Sequence, residues 1–266
     1  VTDWMEQARR LAADARRASR REERPWYRIR NADGGDEDQA EIWIYDEIGF
    51  WGTTARGFAS DLAGVTAGSI ALHLNSPGGG VFDGIAIHNS LVDHPAQVHV
   101  TVDGIAASIA SVIAMAGDTV TMGRGTEMMI HNPSGVVLGQ ADDMREMADL
   151  LDRLAVDIAG FYKTRAGGRR DAWLKAMAAE TWYSADEAVE AGLADKALGS
   201  GKAKPTGAPD DDESEDEPPA DALTRRWDLT AYRYAGRDRA PAPAARGTDN
   251  RSGSIRTREY ARRRAL

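Results

Sequence analysis

Three short stretches carry residue types suited to acyl transfer. The first is Val102-Asp103-Gly104-Ile105-Ala106-Ala107-Ser108-Ile109-Ala110-Ser111. It follows the alternating run Gln97–Thr101, which reads as a strand, and precedes the apolar small-residue run Ile109–Ala116, which reads as a buried helix. A serine at such a turn, flanked by Ala and Gly, presents its hydroxyl with no bulky neighbour. It also lies at a helix N-terminus, where free N–H groups can face an anion. The same residue would serve as a helix cap beside a packed core helix, so Ser108 alone does not decide. The second stretch, Asn75-Ser76-Pro77-Gly78-Gly79-Gly80, follows the strand-like Ser69–Asn75. Proline fixes φ and glycine permits positive φ, so this turn can point backbone N–H groups outward, the donors a developing oxyanion needs. A plain strand-to-helix turn would use the same residues, and without a following Gly-Lys-Ser/Thr it is no phosphate-binding P-loop. The third is Met128-Met129-Ile130-His131-Asn132-Pro133, which sets a histidine at the end of an apolar strand. Of the 5 histidines, His73 and His99 alternate with apolar residues within strands, and His88 and His94 read as surface positions. His131 is the one placed where a loop-borne general base would sit.

Composition narrows the alternatives. The chain has 266 residues, 42% of them hydrophobic, and a net charge of -9, which argues against bulk nucleic-acid binding. With no cysteine, a disulfide, a thiolate metal site and a cysteine nucleophile are excluded. No apolar run approaches the roughly 20 residues of a membrane span, and no signal-peptide pattern opens the chain, which begins with Val. A soluble, intracellular chain without membrane contact is expected.

The elements that must position these groups alternate in type. Residues 1–40 comprise an arginine-rich amphipathic helix, with Trp4, Ala8, Leu11, Ala12 and Ala15 on one side, and a polar linker. Glu41–Ile48 reads as the first strand, Thr53–Gly64 as a helix, Ser69–Asn75 as the second strand and Gly84–Asp93 as a helix. Thr119–Met122 and Glu127–Ile130 are further short strands. Strands alternating with helices predict a parallel-rich α/β domain, in which ligands gather at the carboxyl ends of the strands. Asp142–Ala166 predicts a long helix whose apolar face holds Met147, Leu150, Leu151, Leu154, Ile158 and Phe161. Asp171 reads as the cap of a short helix, and Ser184-Ala185-Asp186-Glu187 as a capping box for a helix that stops at Gly192. Residues 199–266, with the acidic run Asp210–Glu217 and an aromatic, basic island at Arg225–Tyr234, read as a disordered charged tail.

In order, Asn75-Ser76-Pro77-Gly78-Gly79, Gly104-Ile105-Ala106-Ala107-Ser108, Met129-Ile130-His131-Asn132-Pro133 and Tyr183-Ser184-Ala185-Asp186-Glu187-Ala188 with Gly192-Leu193-Ala194-Asp195 resemble the Clp protease proteolytic subunit family of serine peptidases. The resemblance covers residues 41–198. It implies a crotonase-like α/β spiral with a projecting long helix, Ser108 as nucleophile and His131 as base. It further implies an oxyanion hole from the N–H groups of Gly79 and Ile109, and an edge at Ser134, Gly135, Val136 and Val137 that pairs with the substrate backbone. The third triad member falls on Glu180, where the family carries Asp; Asp171 and Asp186 are the fallbacks. No metal or other cofactor is called for.

The family forms rings, so a homo-oligomer acting on a polypeptide substrate is expected. The two extensions resemble those of phage or prophage members that serve as head maturation proteases. Such enzymes cleave capsid, scaffold or portal proteins inside the assembling prohead, in the bacterial host cytoplasm. Two alternatives stand beside this: a peptidase subunit working with an ATP-dependent unfoldase, and, from another class, a crotonase-like acyl-CoA enzyme or a catalytically inactive structural ring.

Overall fold

The computed structural model describes residues 27–30, 39–49, 54–198, 229 and 232–243. The predicted N-terminal helix lies outside these residues. So does most of the predicted disordered tail.

Strand β1 (Tyr27–Arg30) pairs antiparallel with β2 (Gln39–Ile44). Parallel pairing then runs from β2 to β3 (Ser69–Ser76) and on to β4 (Gln97–Ala107). Helix α1 (Ala55–Ala63) precedes β3, with Thr54 as its N-cap, and α2 (Val81–Asp93) joins β3 to β4. The buried positions of β2, β3 and β4 alternate, so Ile42, Ile44, Leu72, Leu74, Val100 and Val102 enter one core with Phe58 and Leu62 of α1 and Ile87 and Leu91 of α2.

Strand β4 is the longest, and it forks. Its first half pairs parallel with β5 (Thr119–Met122), from His99 opposite Thr119 to Val102 opposite Met122. Its second half pairs parallel with β6 (Glu127–Ile130), from Ile105 opposite Glu127 to Ala107 opposite Met129. At the fork the register of β3 against β4 shifts, and Asn75 Oδ1 accepts the Ile105 N–H at 3.2 Å. Helix α3 (Ile109–Ala114), every residue of it buried, leaves directly from the end of β4.

Helix α4 (Ala141–Ala166) buries Leu154, Ala155, Ile158, Ala159, Tyr162 and Ala166. Its first three turns, including Met144, lie outside the core, so the expected projecting helix is present. Helix α5 (Arg170–Ala178), strand β7 (Thr181–Ser184), helix α6 (Ala185–Ala191) and strand β8 (Lys196–Ala197) follow. β7 pairs antiparallel with β6, and β8 adds parallel to β5. The Ser184/Glu187 capping box forms, and Gly192 closes α6 in the left-handed region at φ 77°.

Four expectations are corrected. The sheet begins with β1, not with the strand around residue 41, which itself ends at Ile44; Ile48 makes only an isolated bridge to Gly79. Arg169, not Asp171, is the N-cap of α5, and Asp171 sits in its first turn bound by the Arg169 guanidinium at 2.9 Å. His88 is buried against Phe161, with ring centroids 4.4 Å apart. Within the tail, Leu229 and residues 232–243 are not free of the domain: Leu229, Tyr232, Tyr234 and Ala240 pack on Ile105, Ala107, Met129 and Trp182. The acidic, proline-rich surroundings conceal an apolar island that the fork of β4 leaves a face to receive.

Candidate active site

Ser108 immediately follows β4 with φ 53° and ψ −127°, and its N–H donates to the Met129 carbonyl at 2.9 Å, the bond that completes the pairing of Ala107 with Met129. Among the described residues only Ser108 and Glu180 combine a side chain with positive φ. Such strain persists where surrounding structure imposes it. Two residues past Met129, His131 immediately follows β6, and its Nε2 lies 2.7 Å from Ser108 Oγ. With the imidazole neutral and protonated on Nδ1, the serine hydroxyl donates to Nε2, the arrangement that lets a histidine accept the proton as the oxygen attacks.

The Asn75–Gly80 turn lies against this pair. Buried Ser76 donates through Oγ to the Asp46 carbonyl at 2.7 Å and accepts the Gly78 N–H at 3.1 Å, so the turn is anchored from both sides. A Cβ on Gly78 would stand 2.7 Å from Ser108 Cβ, so only glycine lets the turn pass so near the hydroxyl. Ile48 donates to the Gly78 carbonyl and accepts from the Gly80 N–H, both at 2.8 Å. In such a parallel bridge the N–H of the intervening Gly79 points the other way, away from Ile48. The Ile109 N–H, first in α3, has no intrahelical acceptor. These are the two amides expected at the oxyanion position. Val81, Ile109, Val112, Pro133, Ile158 and Tyr162 line an apolar pocket that opens beside Ser108 and His131. Tyr162 at its wall has its hydroxyl 2.8 Å from Ser111 Oγ.

Glu180 is buried and near enough that its charge acts on His131. No hydrogen bond joins its carboxylate to the imidazole. Its oxygens accept instead from Trp182 Nε1 at 3.2 Å and from the N–H groups of Arg233 and Tyr234 at 2.7 and 2.8 Å. The fallback carboxylates Asp171 and Asp186 are exposed in the first turns of α5 and α6. Residues 134–138 follow the site as an irregular strip, with Val136 84% and Leu138 75% exposed, so an edge is open to an extended chain. Residue-by-residue reading missed Tyr232, whose ring stands edge-on to His131 at 5.4 Å and whose hydroxyl donates to the Pro77 carbonyl. The only available signal was aromatic residues in an otherwise polar tail.

Burial lowers the His131 pKa below its ordinary 6.5, and the Glu180 carboxylate pulls it back only in part. The Tyr232 phenol facing the ring is pushed up to about 12, first by burial and then by Glu47 and Glu180, so it adds no charge near neutrality. The imidazole is therefore neutral at pH 7. The rate at which a fluorophosphonate acylates Ser108 is expected to hold as pH falls to 6.5 and to drop only below it. An acid limb centred above 6.5 would contradict a desolvated base. Stability has the same sign: a folded pKa below the unfolded value means stability is lost as pH falls through 6.5 and under it.

Among the described residues no cluster of His, Asp and Glu is grouped to hold a metal ion, and no helix is long and apolar enough to cross a membrane. A family model described as Clp protease matches residues 61–200. Over 134 residues the chain is 33% identical to the ATP-dependent Clp protease proteolytic subunit of Porphyromonas gingivalis, covering 48% of this chain and 59% of that protein. It is 34% identical over 134 residues to ATP-dependent Clp protease proteolytic subunit 1 of Protochlamydia amoebophila, covering 48% of this chain and 64% of that protein. Subunit 2 of Parasynechococcus marenigrum is also 34% identical over 134 residues, with 48% of this chain and 66% of that protein covered. The chain thus spans less than two thirds of each of these relatives. The architecture agrees with the crotonase-like α/β fold, and the match takes in the Ser108 turn, the His131 strand end and the Glu180 segment together: the chain belongs to the Clp protease family.

Proposed function

We propose that this chain is a serine endopeptidase in which Ser108 attacks a peptide carbonyl, His131 takes its proton and returns it to the leaving amine, and water then resolves the acyl-enzyme. The observation that carries the reading is the 2.7 Å contact between Ser108 Oγ and His131 Nε2 beside two outward amides. Gly79 and Ile109 hold the oxyanion in this scheme, and Glu180 is the carboxylate that supports the imidazolium. The open edge at Ser134, Gly135, Val136 and Val137 receives the substrate as an added strand. The test is a fluorophosphonate probe on the purified full chain, with the adduct located by peptide mass spectrometry. Modification of Ser108 is expected; a protein that stays unmodified at every serine would overturn the reading and favour an inactive ring protein.

The finer role we propose is head maturation in a phage: cleavage of capsid, scaffold or portal proteins by a homo-oligomeric ring inside the prohead. It is supported by the long extensions that flank the matched residues 61–200. The second reading, a peptidase fed by an unfoldase ATPase, is favoured by the relatives, which are named as ATP-dependent proteolytic subunits. A portal gene upstream and a major capsid gene downstream would decide for the first; a stable complex with an ATPase and ATP-dependent casein degradation would decide for the second.

A further inference from the structure

We propose that residues Tyr232–Arg239 form an intramolecular strap that holds the Glu180 carboxylate away from His131 when docked, and frees it to complete the triad when displaced. The proposal rests on the peptidase reading of Ser108 and His131.

The strap reaches the site at three points. Both oxygens of Glu180 are engaged by the Arg233 and Tyr234 N–H groups, at 2.7 and 2.8 Å, with Trp182 Nε1 as a third donor at 3.2 Å. Charge-assisted bonds of this kind are among the stronger polar contacts, and they fix the direction in which the carboxylate points. Its charge still reaches His131 through space, but the hydrogen bond that would orient Nδ1 and steady the imidazolium is absent. Tyr232 stands edge-on to both His131 and Trp182, with centroids 5.4 and 6.1 Å away, and its hydroxyl donates to the carbonyl of Pro77 in the glycine turn. Farther along, the Arg237 N–H donates to Glu127 at 3.0 Å. Its guanidinium forks onto Glu187 at 2.5 and 2.6 Å and holds that carboxyl down at about 2.

The anchor points have other partners waiting. Glu187 also accepts from the Ser184 N–H and hydroxyl in the capping box of α6, so departure of Arg237 leaves that helix capped. Glu180 has the His131 imidazole in reach of its charge. Undocking therefore leaves the α6 cap in place, and its cost is the uncovering of Ile105, Ala107, Met129 and Trp182, on which the strap packs. Covalent tethering keeps the strap at a high effective concentration over the site, so contacts of modest individual strength suffice to hold it. Thirty residues, 199–228, separate the end of the domain from Leu229.

The experiment uses the full chain as wild type and as the Tyr232→Ala/Arg237→Ala double variant, with Arg237→Ala alone as the milder release. The readouts are the rate of fluorophosphonate acylation at Ser108, the rate of casein cleavage, and the downfield proton resonance of a hydrogen-bonded His131 Nδ1–H. Release is expected to raise acylation and cleavage by about tenfold or more, since a missing triad acid costs at least that much, and to bring the resonance up. A synthetic peptide of residues 229–243 added in trans is expected to slow the double variant toward wild type. Acylation at Ser108 that is equal or slower in both variants would overturn the strap while leaving the peptidase reading intact. No acylation at Ser108 in any of the proteins would overturn that reading, and the strap with it.

Discussion

Ser108→Ala is expected to abolish fluorophosphonate labelling and to lower peptide hydrolysis by about 10⁴-fold or more, with the domain still folded. The size follows from the absence of a substitute. Ser111 is buried, with its Oγ held 2.8 Å from the Tyr162 hydroxyl, and Ser76 spends its hydroxyl on the Asp46 carbonyl and the Gly78 N–H. Neither can turn toward His131. Folding survives because alanine meets the same φ of 53° that serine already tolerates, and the N–H bond to Met129 does not involve the side chain. The lost hydroxyl–imidazole bond costs about 1 kcal/mol. The measurement is cleavage of casein beside a thermal melt. Cleavage that persists undiminished in a folded variant would remove Ser108 from the mechanism.

Gly79→Ala is the second large effect. A Cβ there would stand 2.2 Å from the Ile48 carbonyl oxygen and 2.7 Å from the Ile48 nitrogen, both backbone atoms, at a φ of 145° that side chains seldom adopt. The turn must shift, which breaks the bridge to Ile48 and rotates the amide meant for the oxyanion. Loss of one such donor costs about 10²–10³-fold. Because that bond forms only as charge develops, the fall is expected in kcat with KM little changed. Steady-state kinetics on a fluorogenic peptide checks this. An unchanged kcat would take Gly79 out of the oxyanion site.

Much of this arrangement was legible in the residues because local rules and tertiary needs agree. The alternation in Ser69–Asn75 puts Ile70, Leu72 and Leu74 at the buried positions, and the Ser184/Glu187 box with Gly192 marks α6 at both ends. The pairing of Ser108 with His131 was readable only as two groups at strand ends, because what joins them is the register of Ala107 opposite Met129. β1 escaped notice because four residues, Tyr-Arg-Ile-Arg, are too few to establish a period. His88 sits four residues after Gly84 and three before Leu91, both buried, so helical spacing alone could have moved it inward. The contact of Tyr232 with His131 spans about a hundred residues of sequence, and composition averaged over a polar tail cannot reveal it.

The fork in β4 divides the domain into woven and unwoven parts. The backbone that leads into Ser108 and the backbone that leads into His131 are adjacent threads of one parallel weave, separated by the interstrand spacing of about 4.8 Å, with no hinge between them. Their meeting is settled once, at folding, and in the proposed mechanism the hydroxyl and the imidazole are already in place before a substrate arrives. On the proposed reading, tuning of speed or of substrate choice falls to the fringe, the exposed strip after His131 and the chain that lies across Glu180, where change leaves the weave untouched.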